Sequence, residues 1–518
     1  MTKGSAHRSI KMVFLGMIAC LGMSNVRAAR PSVTFSRDIA PIAFVHCSSC
    51  HRPGGGGPFN LVHYNDFKKR SKQVMEVVES RFMPPWHAVK TDYDFANDAT
   101  LSDDAVQLIR EWVLTGAPEG DPKELPPMPK YVEGWELGQP DIVLTMDLAY
   151  QVPADGPDIY RYFGFPLDLP EDRWVRALEY RPGCREVAHH ALVFATDDKN
   201  WRIQDAEDEA VGFKKWTGQG RGSRRIISWA LGMNARVFPD GIGLPIRKGE
   251  DLVLQAHFHP SGTSEEEISK IGIYLLDRKP ERESIEVQIP QSFGSLSGIE
   301  IPAGVEDYTL RESFVLPVDV KAYSTSPHAH YIGKKFELNA YFPTGDKRAL
   351  LRVDDWDFAW QHIYRYQDPL LLPAGTRLET VIQWDNSAEN PFNPFSPPKQ
   401  INWGPYSEDE MGSILLDVVA VNRRDEGKLN RALREYRSIT LENLVVSQED
   451  ALSVGVEMVE GPLRKAAAQV LERHDVDRDG RLSSQERSKA RQYYREKGYD
   501  GGLQRGETAA GLRVQLNQ

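Results

Sequence analysis

The sequence predicts a multidomain chain: an all-α first domain, two antiparallel β-sandwich lobes of jelly-roll type, then a small α-helical segment. Three observations carry that prediction. A chain of 518 residues is long enough for three or four domains. Hydrophobic periodicity is helical before residue 121 and again after 461. Between them, short alternating runs such as "DIVLTMDL", "DLVLQAHFH" and "RLETVIQW" recur, separated by Gly, Pro, Asn and Asp.

The N-terminus reads as a targeting segment over residues 1–28. Lys3, Arg8 and Lys11 precede the apolar "MVFLGMIACLGM", and Val26 and Ala28 occupy the cleavage-site positions. A lipidated Cys20 is the alternative, disfavoured by Met17. The expectation is an exported protein, periplasmic or extracellular, with no later stretch apolar enough to span a membrane. A net charge of -11 and a pI near 5.7 exclude the basic footprint of a nucleic-acid binder. Only four cysteines occur, too few for a disulfide framework in a chain this long, so a chemical role is expected for them.

Within residues 31–121, Cys47-x-x-Cys50-His51 is the c-type haem attachment pattern: two thiols for the vinyl groups and an adjacent imidazole for the iron. A thioredoxin-like redox pair would need a βαβ context, and a zinc site would need a second ligand pair. The sixth ligand is expected to be Met83, on the loop "RFMPPWHA", with Met75, His87 and His63 as lesser candidates. "LSDDAVQLIREWVLTGAPEGD" reads as a closing helix capped by Ser102 and ended by Gly116.

A proline-rich linker is expected over residues 122–139, then β lobes over 140–300 and 301–425. Three histidine clusters fall inside the β region: His189 with His190, His257 with His259, and His328 with His330. On a strand, i and i+2 share a face, so each H-x-H is a ready metal clamp. The adjacent His189 and His190 would face opposite ways unless the strand is distorted there. Imidazole clusters suit copper or zinc, and a thioether tilts the choice to copper. Met411, expected to point away from the core at the start of "MGSILLDVV", supplies one.

A helical, polar bridge is expected over 426–460 and a calcium-binding segment over 461–500. "DVDRDGRLSSQE" places Asp475, Asp477, Asp479, Arg481 and Glu486 at EF-hand ligand positions, with Gly480 at the turn. "YDGGLQRGE" (499–507) reads as a decayed partner loop.

With these motifs set out, residues 31–121 resemble a class I cytochrome c domain, through CxxCH, "MPPW" and a last helix ending in "TGAP". Residues 140–425 resemble the copper type II, ascorbate-dependent monooxygenases, the peptidylglycine α-hydroxylating and dopamine β-monooxygenase family. The matching features, in order, are the HH pair, the "LQxH" strand, the H-x-H with a following glycine, and the methionine opening a late strand. That resemblance implies one copper on His189, His190 and His257, and a second, oxygen-binding copper on His328, His330 and Met411. The implied activity is hydroxylation of a C–H bond with O2, on a small organic or peptide substrate. Electrons would pass singly through the haem from ascorbate or a redox protein. Ser326 stands where the peptide-amidating enzymes carry a carboxylate-gripping arginine, so a glycine-extended peptide is not implied. The alternatives are a non-catalytic haem and copper electron-transfer or copper-binding protein, and a zinc hydrolase.

Overall fold

Alternating side chains and turn residues do produce strands in the middle of the chain, but their partners depart from the predicted lobes. The computed structural model describes residues 32–132, 134–214, 216, 223–230, 233–447 and 462–496. The targeting segment 1–28, with Cys20, and the proposed partner loop 499–507 lie outside the described residues.

Among the described residues the chain is mostly β: 22 strands in six sheets of two to six strands, with eight α-helices. The predicted fold class, an all-α cytochrome-like domain followed by two antiparallel sandwich lobes and an EF-hand segment, is therefore corrected. Four particulars show why. Residues 84–98 leave the N-terminal helices and join the β region, through bridges Ala88–Val353 and Phe95–Tyr366. Trp86, Ala88, Tyr93 and Phe95 pack on the β core around Trp356, Tyr364 and Tyr366, so the first segment does not close on itself. The strand Ile285–Ile289, expected in the first lobe, pairs with Gly412–Ala420. Arg282–Glu283 runs parallel to Ile242–Gly243, so the first large sheet is mixed. The physical reason is general: period-two alternation says that a strand buries a face, but not which strand lies beside it.

The N-terminal helices are short: Ala40–His46, Tyr64–Lys69, Ser71–Glu79 and Asp103–Leu114. The helices Tyr64–Lys69 and Ser71–Glu79 are separated at Arg70, whose φ of -115° and ψ of 15° are not helical. Ser102 caps the last of them, its hydroxyl accepting from the Ala105 amide at 3.2 Å. Phe35, Phe67, Ile109 and Trp112 form the small core beneath them.

Two four-stranded sheets carry the histidines. One is ordered Ile159–Phe165, Asp251–Phe258, Ala188–Thr196, Arg224–Ala230. The other is ordered Ile285–Ile289, Gly412–Ala420, Val320–Ala329, Tyr364–Leu372. The strands Asp251–Phe258 and Gly412–Ala420 are buried along their whole length, on both faces. Tyr323 and Val419, from the second sheet, reach into the core of the first. Arg236 pairs with Asp417 through both carboxylate oxygens at 3.0 Å, tying the two regions together. Among the described residues, no helix is long and apolar enough to cross a membrane.

Candidate metal centres

The sheet register brings the first cluster together. Tyr160 faces His257 across one strand pair, and His190 faces His257 across the next. Between Ala188 and His190 the register shifts, so His189 sits in a bulge. The bulge defeats strict alternation and turns both neighbouring rings the same way. Nδ1 of His190 lies 3.2 Å from Nδ1 of His189 and 3.0 Å from Nδ1 of His257. All three rings offer a nitrogen to one small volume.

The tautomers follow from the outer partners. Nε2 of His257 lies 2.8 Å from the Asp158 carboxylate, so it carries the proton and leaves Nδ1 bare toward the other rings. Tyr160 stacks flat on His257 at 4.3 Å and locks its plane. Burial pushes His189 down to about 4, with His257 adding to the shift, and holds His190 well below its ordinary value. These rings are neutral, as ligands must be.

The second cluster forms where His328 ends one strand and Met411 opens its neighbour. His328 pairs with Ser413 in the ladder. Its Nε2 lies 3.2 Å from the Met411 sulfur, and its Nδ1 lies 2.6 Å from Oε1 of Gln361. Gln361 donates its amide nitrogen to the Phe358 carbonyl, which turns Oε1 to the histidine. His328 must therefore be protonated at Nδ1, and a bare Nε2 faces a thioether lone pair. His330 places Nδ1 3.1 Å from the Asp409 carbonyl, leaving its Nε2 bare as well. Burial pushes His328 down to about 4 and His330 to about 3. Met411, expected to point outward, is buried. The buried Glu410 carboxylate accepts from the amides of His330, Ile332 and Met411 and from the Trp384 indole, which fastens both ligand-bearing segments.

The two clusters adjoin one space. His190 and His328 line a common cavity of about 20 Å³, room for a single water-sized group, with Arg225, Ser326 and Gln361. The Phe358 ring packs near His189, His190 and His330, with centroids 5.3, 5.8 and 5.7 Å away. His259 does not join the first cluster. Its ring is exposed and bonds the second oxygen of Asp158 at 2.7 Å. Asp158, Tyr160, Phe358, Gln361 and Glu410 escaped the sequence reading, because each is an ordinary residue until the fold sets it beside a histidine. An acidic residue in the "DGPD" turn was the one faint signal.

At the CxxCH segment, Cys47 and Cys50 are free thiols, and burial pushes Cys47 up to about 12. His51 bonds the Phe59 carbonyl through Nδ1 at 3.0 Å and keeps Nε2 for a ligand role. A side chain at Gly57 would lie 2.5 Å from the His51 ring, so the glycine run makes room for that imidazole. These donors fit a c-type haem. Met83 lies half-buried after the helix Ser71–Glu79, its amide bonded to the Val77 carbonyl. Met75 is half-buried within that helix. The exposed His63 starts a helix with its amide on Asp66, and His87 is engaged with Asp355 of the β region.

The 475–486 loop lies between helices Pro462–His474 and Ser484–Glu496. Asp475, Asp477 and Asp479 turn oxygens toward one volume, and Gly480 takes a φ of 82°. Oδ1 of Asp475 is buried without a hydrogen-bond partner, which suits a calcium ligand. Arg481 donates its amide to Asp479, and Glu486 accepts from the amides of Val476 and Ser483.

No protein-family model matches the chain. No curated protein matches it either. Among similar solved structures is a peptide-N(4)-(N-acetyl-β-D-glucosaminyl) asparagine amidase, at 12% identity over 54% of this chain and 97% of that one, TM-score 0.26. Another is the VP2 subviral particle of infectious bursal disease virus, at 9% identity over 56% and 74%, TM-score 0.18. Scores this low carry no inference about fold or activity. The resemblance to a cytochrome c domain fused to the ascorbate-dependent copper monooxygenase family, with an EF-hand, is accordingly withdrawn. No family match supports it, and the mostly β chain has small helical content.

Proposed function

We propose that this chain is an exported copper-dependent oxidoreductase that hydroxylates a C–H bond of a small organic or peptide substrate with O2. Its electrons would arrive singly through a covalently attached c-type haem, from ascorbate or a redox protein. The observation that carries the reading is the convergence of bare imidazole nitrogens from His189, His190 and His257, and of His328 with the Met411 sulfur. Copper bound to such donors supplies one-electron redox chemistry and oxygen activation. The thioether distinguishes the second site from a hydrolytic zinc centre, whose ligands are nitrogen, oxygen or thiolate.

The chain's own residues do the positioning. Asp158 and Gln361 fix the tautomers of His257 and His328. Glu410 holds the two segments that bring His330 and Met411 together. The Phe358 ring contacts rings of both clusters, His189 and His190 in the first and His330 in the second. Cys47 and Cys50 would form the thioethers, and His51 and Met83 would hold the iron. Asp475, Asp477, Asp479, Arg481 through its carbonyl, and Glu486 would hold calcium.

The test is metal analysis followed by oxygen consumption. Two coppers per chain in the His clusters, one covalent haem, and a hydroxylated product from a substrate screen are expected. Met411→Ala should abolish product while haem attachment persists. Oxygen uptake without product, with haem reoxidation unchanged in Met411→Ala, would leave the non-catalytic electron-transfer reading standing instead.

A further inference from the structure

The strand Arg224–Ala230 is the edge of the first histidine-bearing sheet and pairs with Ala188–Thr196. In that ladder Ala230 faces His190, Ser228 faces Leu192, and Arg225 faces Phe194. On a regular strand, residues three apart point to opposite faces. The register shift between Val193 and Phe194 takes up one residue, so Arg225 and Ser228 emerge on one face, beside His190 and Leu192. All four line the cavity of about 20 Å³ that His190 shares with His328.

The Arg225 side chain is only 10% exposed. Its Nη2 donates to Glu286 at 2.7 Å, and its guanidinium carbon lies 5.7 Å from the centre of the Phe293 ring. Phe293 in turn meets the His328 ring edge-on at 5.1 Å. These contacts hold the guanidinium in place, yet Nε is buried without a hydrogen-bond partner. The Ser228 hydroxyl is buried without one as well. Orphaned buried polar atoms are rare, and they cost more when the group is charged. Two of them on one wall of one small cavity call for an occupant that accepts from both.

The chemistry of the wall selects that occupant. Nε of an arginine can only donate, and a serine hydroxyl can donate to the same acceptor. Among the described residues that line the cavity, Arg225 is the one arginine or lysine, and no aspartate or glutamate is present. Leu192, Trp229, Pro327 and Ile363 supply apolar side chains. An ionised donor bonds an anion more strongly than it bonds a neutral oxygen. The volume admits a single water-sized group, so a monatomic anion fits where a carboxylate, sulfate or phosphate does not. We infer that Nε of Arg225 and Oγ of Ser228 form a subsite for one small halide, chloride in size, between the two histidine clusters. The site requires no metal and goes beyond the proposed function. His190 and His328 border the same space, so a bound halide excludes any other group from it.

The test is halide binding to the full-length protein, as purified and after copper removal with a chelator. Crystals soaked in bromide should show an anomalous peak within hydrogen-bond reach of Nε of Arg225 and Oγ of Ser228. Chloride affinity, from the broadening of the chloride NMR line, should fall by about tenfold in Ser228→Ala, the loss of one hydrogen bond to a charged group. Arg225→Lys keeps a cationic donor for Glu286 but has no Nε–H, and should lose the peak. If Arg225→Lys does not fold, Ser228→Ala decides alone. A native cavity without a peak overturns the inference. So does halide binding that is equal in the native protein and Ser228→Ala, which would mean an adventitious ion only. Copper counted on the same preparations separates this site from the proposed function. A protein that binds halide here but no copper defeats that function alone, and one that binds two coppers but no halide defeats this inference alone.

Discussion

The Asp158 carboxylate holds His257 by Nε2 at 2.8 Å, and its hydrogen bond decides which nitrogen of that ring faces His190. The same carboxylate accepts from the Tyr331 hydroxyl at 3.0 Å, so one anion joins the first cluster to the residue following His330. Burial by itself would raise Asp158. The hydrogen bonds from His257, His259 and Tyr331 outweigh it and hold the group well below the usual carboxylate range.

Asp158→Ala should weaken copper binding at His189, His190 and His257 by about 10–100-fold, the usual effect of losing a carboxylate behind a ligating histidine. The His328 cluster should bind as before. Competition titration with a copper chelator measures both, and unchanged affinity at the first cluster would contradict the tautomer assignment.

Gln361→Leu should act on the other cluster alone. Without the amide oxygen, His328 is free to move its proton to Nε2, opposite the Met411 sulfur. Affinity there should fall by about tenfold or more. A methionine-sulfur signal in copper-edge absorption that persists at full strength would show that Gln361 is dispensable.

One guanidinium nitrogen of the half-buried Arg236 donates to both oxygens of the buried Asp417, which the Ser324 hydroxyl also reaches. Arg236→Met strands a buried carboxylate and should destabilise the protein by about 3 kcal/mol in urea unfolding. Arg236→Met with Asp417→Leu should recover much of that loss, because an apolar pair leaves no uncompensated charge. Equal destabilisation in both proteins would mean that shape rather than charge matters at this junction.

Glu312 is buried, accepting from the Ser297 and Tyr436 hydroxyls, and burial raises its carboxyl above the ordinary value. The folded state therefore binds this proton more tightly than the unfolded chain. Its contribution to stability is complete below the unfolded value of about 4.3 and is lost as pH rises through the folded one. Glu312→Gln removes that dependence. The stability difference between Glu312→Gln and the native protein should shift toward the variant as pH rises from 4 to 8, read from urea midpoints. A pH-independent difference would refute a neutral buried carboxyl.

Calcium should raise the melting temperature of the C-terminal helical pair, and Glu486→Ala should abolish that shift. Glu486 accepts from the Ser483 hydroxyl and from the amides of Val476 and Ser483, which keep its carboxyl low, at about 2, and ready as an anion. A calcium-induced shift that survives Glu486→Ala would place the ion elsewhere.

Local chemistry was legible in the chain itself. CxxCH, the H-x-H pairs, the Asp475–Glu486 spacing and the Ser102 cap depend on residues near one another in sequence, and short-range geometry is set by few dihedrals. The strain expected at His189 and His190 was also legible, because alternation forbids two adjacent rings on one face, and the bulge resolves it. The partners of each strand were not legible. Ile285–Ile289 joins Gly412–Ala420 across more than a hundred residues, and residues 84–98 desert their helices for the sheet. Such pairings depend on which buried faces fit together, a property of the assembled core that no single segment carries. The same holds for Asp158 and Gln361. Their types are common, and only long-range packing sets a carboxylate behind His257 and an amide behind His328.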